Sequence, residues 1–295
     1  MTCFKRKTRV FNKLSASTPK LLSILSLLIS ASLCIPANAE IALTVESGIT
    51  PEVEAEVHNT IREFSAVLKD EADIMFETNV QVMLVPSKER YEQLLRERGG
   101  FASQEASITS EVTGGVCIPH KNLVLLYLKD TIWMGRLRLI TAHELTHVLQ
   151  NQLAKNSSSF IKAPRWLSEG MADWVAGLVS QRMGTKTMAT WKDELLDSLS
   201  GSRNMLKPTE VARANLNDWV LWNKQKRRPY EYASLMRLSL AERNNTSTFP
   251  SLTSYFRCLN SFSFEATCFR ESFGVKEDDF YQEFSAYMAS ELSGL

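Results

Sequence analysis

His143-Glu144-Leu145-Thr146-His147 sets two histidines four residues apart with a carboxylate directly after the first. On an α-helix of about 3.6 residues per turn, His143 and His147 lie one above the other on a single face and can grip one metal ion. Glu144 falls about 100° around the same helix, beside the metal instead of at it. A general base must stand there to take a proton from water held at the metal. Leu137, Ile140, Leu145, Val148 and Leu149 recur at roughly helical spacing around the motif, which predicts a half-buried helix. The competing reading is an amphipathic helix with two surface histidines.

A third ligand decides the class of site. A metzincin carries Gly and His three and six residues after the second histidine. Gln150 and Leu153 stand there, which excludes that branch. Downstream lies Pro164-Arg165-Trp166-Leu167-Ser168-Glu169-Gly170-Met171-Ala172-Asp173-Trp174, where Glu169 and Asp173 are again four apart on one helical face. Glu169 can complete a His2Glu zinc site with the fourth position left open for water, the catalytic arrangement. Asp173 can accept the free ring N–H of a metal-bound histidine and fix its tautomer.

HELTH followed by WLSEGMADW resembles the gluzincin branch of the zinc metallopeptidases, in which HExxH on one helix is joined by ExxxD on the next. The 21 residues between His147 and Glu169 suit that resemblance. It implies one zinc ion held by His143, His147 and Glu169, with Glu144 as base and Asp173 as orienter of a ligand. More loosely, residues from about 75 to 290 are similar to small secreted peptidase-like proteins of the MA clan, including the late Tyr232-Ala233-Ser234-Leu235-Met236 stretch. The likeness also implies a tyrosine on the helical lobe as donor to the oxyanion, Tyr232 or, failing it, Tyr230. It further implies that the strand just before the HExxH helix is a sheet edge that holds an extended peptide by backbone pairing.

The first 39 residues are expected to be a secretory signal peptide. Lys5, Arg6, Lys7, Arg9, Lys13 and Lys20 precede the apolar run Leu21 to Leu33, and Ala37-Asn38-Ala39 supplies a small-x-small cleavage pattern. That run is short for a transmembrane helix, so no stable membrane insertion is expected after cleavage. The chain is expected outside the cytoplasm, periplasmic or extracellular.

Six of the 34 basic residues and none of the 33 acidic ones lie in the leader, so the remainder carries 28 against 33, a net of −5. That balance gives no electrostatic reason to seek nucleic acid and leaves a peptide or protein substrate as the expected partner. Lys224-Gln225-Lys226-Arg227-Arg228 is the local exception and reads as a solvated loop, or as a cleft lining that favours acidic side chains. Cys258 and Cys268 lie ten apart around a turn, where a disulfide suits an oxidising compartment, and Cys117 is left over. Oligomeric state is not legible.

Period and punctuation predict an α+β fold. Residues 40–184 form a lobe with a small mixed sheet and the active-site helix, zincin-like by the resemblance, and 185–295 a helical C-terminal lobe. Ile41 to Val45 and Val80 to Val85 read as strands, and Pro51 to about Asp70 and Lys88 to Arg98 as helices. Phe101 to Gly115 is polar and Gly-punctuated and reads as a loop or cleft floor. Val116 to Pro119 and Leu123 to Leu128 read as paired strand pieces around His120, a turn residue. After the Glu169 helix, helices are predicted at Trp191–Leu199, Glu231–Arg243, Leu252–Leu259, Phe264–Phe273 and Glu277–Leu292.

Two functions of different class follow: an exported zinc peptidase using Glu144 as base, or a non-catalytic binding or assembly module of the cell envelope that keeps the fold.

Overall fold

The computed structural model describes residues 39–128, 134–155, 162–202, 205–244, 249–260 and 264–293. Four strands, β1 (Ile41–Val45), β2 (Val80–Val85), β3 (Gly115–Ile118) and β4 (Leu123–Tyr127), make one sheet in the order β1-β2-β4-β3. β1, β2 and β4 run parallel, and β3 runs antiparallel to β4. The fold is mixed α/β with a small mixed sheet.

Helices cover both faces of the sheet, which is why β2 and β4 read as near-continuous apolar runs. Val80, Val82, Leu84, Val124 and Leu126 pack against α1 (Pro51–Ala72) and α4 (Met134–Leu153). Side chains alternate along a strand. Met83, Val85, Leu123 and Leu125 therefore turn to the opposite face, against Tyr91, Leu94 and Leu95 of α2 (Lys88–Glu97) and Ala106 of α3 (Ser103–Val112). Pro51 opens α1 and Asp73 closes it in the left-handed region at φ 51°. Between them Val53, Val57, Ile61, Phe64 and Leu68 form the buried stripe.

Two expectations are corrected here. Residues 101–115 are not a loop throughout, because α3 lies within them; it buries only Ala106 and Ser110, so it shows no apolar period. The strand just before the motif helix is β4, which is internal, and the edge beside it is β3, β1 being the other. The Tyr127 N–H donates to the Gly114 carbonyl at 2.8 Å. By antiparallel alternation, Gly115 and Cys117 then turn their backbone groups away from β4, toward the open edge. His120 sits in the single 3-10 turn Pro119–Lys121 that links β3 to β4.

The rest is helical: α5 (Arg165–Arg182), α6 (Met188–Ser200), α7 (Pro208–Arg213), α8 (Leu216–Lys224), α9 (Pro229–Asn244), α10 (Phe249–Leu259), α11 (Glu265–Phe273) and α12 (Glu277–Ser293). Residues 38–295 form one compact unit, and a single core cluster runs from the sheet to α12. Gly170 of α5 lets α9 come close, since a Cβ there would stand 2.5 Å from the Ala233 carbonyl oxygen. The Arg237 guanidinium of α9 lies 4.0 Å from the centre of the Trp174 ring of α5. A Cys258–Cys268 disulfide joins α10 to α11. The expected leader, apart from Ala39, lies outside the described residues, and no described helix is long and apolar enough to cross a membrane.

Candidate metal centre

α4 carries His143 and His147 one turn apart, and α5 packs across it so that Glu169 faces the pair. The two Nε2 atoms are 3.0 Å apart, and Glu169 Oε2 lies 3.3 Å from that of His143 and 3.5 Å from that of His147. Their side chains are only 15%, 12% and 9% exposed. This is the group expected to hold the metal.

Each of the three side chains is braced on its far side. His143 Nδ1 is 2.7 Å from Asp173 Oδ1, the partner predicted from the ExxxD spacing. Ser234 of α9 donates its hydroxyl to Asp173 Oδ2 at 2.8 Å. His147 Nδ1 is 2.8 Å from Gln150 Oε1, and the Gln150 amide donates to the Ser168 carbonyl at 2.9 Å. Arg165, one turn before Glu169, donates to Glu169 Oε1 at 2.9 Å, leaving Oε2 to face the imidazoles. Ser234, Gln150 and Arg165 were not expected from sequence. Arg165 and Gln150 stood in plain sight at i,i+4 from Glu169 and i,i+3 from His147, whereas nothing in the sequence pairs Ser234 with Asp173.

These braces decide the electrostatics at the centre. With both Nδ1 atoms donating to oxygen acceptors, both Nε2 atoms are bare lone pairs in the neutral rings. Two bare nitrogens and a carboxylate oxygen within 3.5 Å repel one another unless a cation or a proton lies between them. In the metal-free chain a proton can fill that role. Burial opposes charge on His143, but the hydrogen bonds it donates to Asp173 and Glu169 outweigh that and hold the ring well above its ordinary pKa. Burial likewise acts to raise Glu169, yet the imidazoles, His147 foremost, hold it well below the carboxylate range.

Glu144 stands on the strand side of the pair. Its Cγ passes β3 at Gly115, where a Cβ would lie 3.1 Å from it and 2.4 Å from Ile140 Cγ2. Burial raises the Glu144 carboxyl above its usual range, against the pull of His143, His147 and the Cys117 backbone N–H. A carboxylate so raised is a better proton acceptor at neutral pH than a solvated one.

Tyr230 opens α9 on the other side, its ring 6.5 Å from that of His143. Burial, with Glu169 and Asp173 adding, pushes its phenol up, so it stays a donor. Tyr232, the first candidate for the oxyanion donor, is instead buried edge-on against Phe284. Two positions along a helix turn a side chain about 200°, so only one of the two tyrosines can face the His143–His147–Glu169 group. No protein-family model matches the chain, and no curated protein matches it in sequence.

Proposed function

We propose that this chain is an exported zinc peptidase of the gluzincin type, with His143, His147 and Glu169 as ligands and Glu144 as general base. The observation that carries the reading is the ligand triangle itself. Tetrahedral zinc with bonds of about 2.0–2.2 Å has ligand edges of about 3.3–3.6 Å, against 3.0, 3.3 and 3.5 Å here. Three protein ligands leave a fourth corner open, as catalytic zinc requires. Nitrogen and carboxylate donors also suit other first-row divalent ions, and a zincin-like fold is part of the proposal.

Bound zinc acidifies water and polarises a carbonyl. The chain's own groups do the rest. Glu144 takes the proton of the attacking water and delivers it to the departing amine. Asp173 and Gln150 keep the ligand rings oriented, and Tyr230 donates a hydrogen bond to the oxygen where charge develops. The outward backbone of β3 at Gly115, together with the Cys117 carbonyl, offers an extended peptide groups to pair with beside Glu144, whose carboxylate already takes the Cys117 N–H. The Cys258–Cys268 disulfide supports an oxidising compartment. The leader-like first 39 residues support export.

The test is hydrolysis of a peptide library by purified 40–295, metallated, with and without chelator. Chelator-sensitive cleavage is expected. Absence of cleavage by fully metallated protein would turn the reading to a binding module on the same fold.

A further inference from the structure

His147 owes its orientation to a side chain that the proposed reaction does not use. Gln150, on the same helix, is fully buried, so solvent cannot replace its bonds. Its amide could face either way on its own. The Ser168 carbonyl, 2.9 Å from Gln150 Nε2, can only accept. The NH2 must therefore point there, and Oε1 must point at His147 Nδ1, 2.8 Å away. An amide oxygen also only accepts, so the ring proton sits on Nδ1 and Nε2 is bare. The Ser168 carbonyl belongs to the peptide bond that leads into Glu169. One side chain thus touches the second ligand's ring and the peptide that presents the third ligand.

We propose that Gln150 is a positioning residue of the metal centre. Its amide, oriented by the Ser168 carbonyl, fixes His147 in the tautomer that offers Nε2 to the ion and ties α4 to α5 at ligand distance. This rests on the metal-site reading above. It adds that the two histidines are held by different chemistries, a carboxylate for His143 and a carboxamide for His147.

Three preparations test it: wild type, Gln150→Met and Gln150→Glu, each as the mature chain. Zinc affinity is read by competition with a chromophoric chelator, and folding of the metal-free chain by thermal unfolding. Loss of a group that orients a ligand costs about 10–100-fold in metal affinity. That loss is expected for Gln150→Met, which keeps length but can neither accept nor donate. Gln150→Glu, whose carboxyl oxygen still accepts from Nδ1–H in either protonation state but donates to the Ser168 carbonyl only when protonated, should recover part of it. Nitrogen-15 NMR of metal-free wild type, at a pH where the rings are neutral, should place the His147 proton on Nδ1.

Equal zinc affinity for wild type and Gln150→Met overturns the inference, as does Gln150→Glu as weak as Gln150→Met. A proton found on Nε2 of wild-type His147 overturns it with no variant needed, should Gln150→Met fail to fold. Wild type that takes up no zinc sinks the metal reading itself, a result distinct from all of these.

Discussion

The two sides of the ligand triangle are built differently. On the strand side, Glu144 lies against the edge strand β3, where Gly115 has no side chain and the Cys117 N–H donates to the Glu144 carboxylate. On the helical side α9 is pressed against α5, and polar bonds run His143–Asp173–Ser234 without a gap. Under the proposed chemistry the strand side supplies the reacting base and a place for substrate, while the helical side holds the ligands still. Changes on the strand side should therefore alter rate before metal affinity, and changes on the helical side the reverse, with Tyr230 the exception because it faces the site.

The sharpest test of that division is Glu144→Gln. Turnover should fall by at least about 10²–10⁴-fold, the contribution of a positioned base, with zinc affinity unchanged by competition titration. Full activity in this variant would end the assignment of roles. Tyr230→Phe should lower kcat by about 10²-fold, as expected for loss of one oxyanion donor, whereas Tyr232→Phe should leave kcat alone. Equal effects from the two would return Tyr230 to a packing role.

Asp173→Ala probes the helical side proper. Zinc should bind about 10–100-fold more weakly, and rate at saturating zinc should change less than affinity does. Gly170→Ala acts through packing, because its new methyl meets the Ala233 carbonyl. Forcing α9 outward should cost about 1–3 kcal/mol, read as a lower Tm, and weaken zinc binding by displacing Ser234. A variant as stable as wild type would show that α9 needs no such close approach.

The smallest effect serves as a control far from both sides. Burial raises the Glu265 carboxyl to about 7, with the Glu277 charge adding. A folded-state pKa above the unfolded value favours the protonated form. Its stabilising contribution is therefore present at low pH and is lost as pH rises from about 4.5 toward 7. Glu265→Gln should raise stability at pH 8 by roughly 1 kcal/mol once solvent screening is allowed for. The difference should vanish below about pH 4.5, the ordinary value for the group. The measurement is Tm against pH for both proteins, and a gap that persists in acid would contradict the sign.

What was legible in the sequence follows a physical line. Periodic, strongly patterned elements could be read: β2 was expected at Val80–Val85 and found there, and α1, α11 and α12 begin and end within a few residues of expectation. The HExxH and ExxxD spacings each set two side chains on one face because a helix converts i,i+4 into proximity without help from tertiary structure, while joining the two pairs took the packing of α5 on α4. α3 was missed because its buried side is short and polar. α7 and α8 were missed because six and nine residues hold little period. The capping box of α8 at Asn215 and Asp218 was the available signal. The edge position of β3, the choice of Tyr230 over Tyr232 and the clasp of Gln150 on Ser168 depend on which element lies beside which. No local pattern encodes that.

The Cys258–Cys268 bond encloses a short loop between α10 and α11, among Tyr255, Phe256, Phe269 and Phe273. A crosslink closing about ten residues contributes about 2–3 kcal/mol, chiefly by narrowing the unfolded ensemble. None of the atoms that would meet substrate or ion belongs to that crosslink. Protein made where thiols stay reduced should still assemble the His143–His147–Glu169 group but survive heat less well, so durability is adjustable in this chain without touching that group.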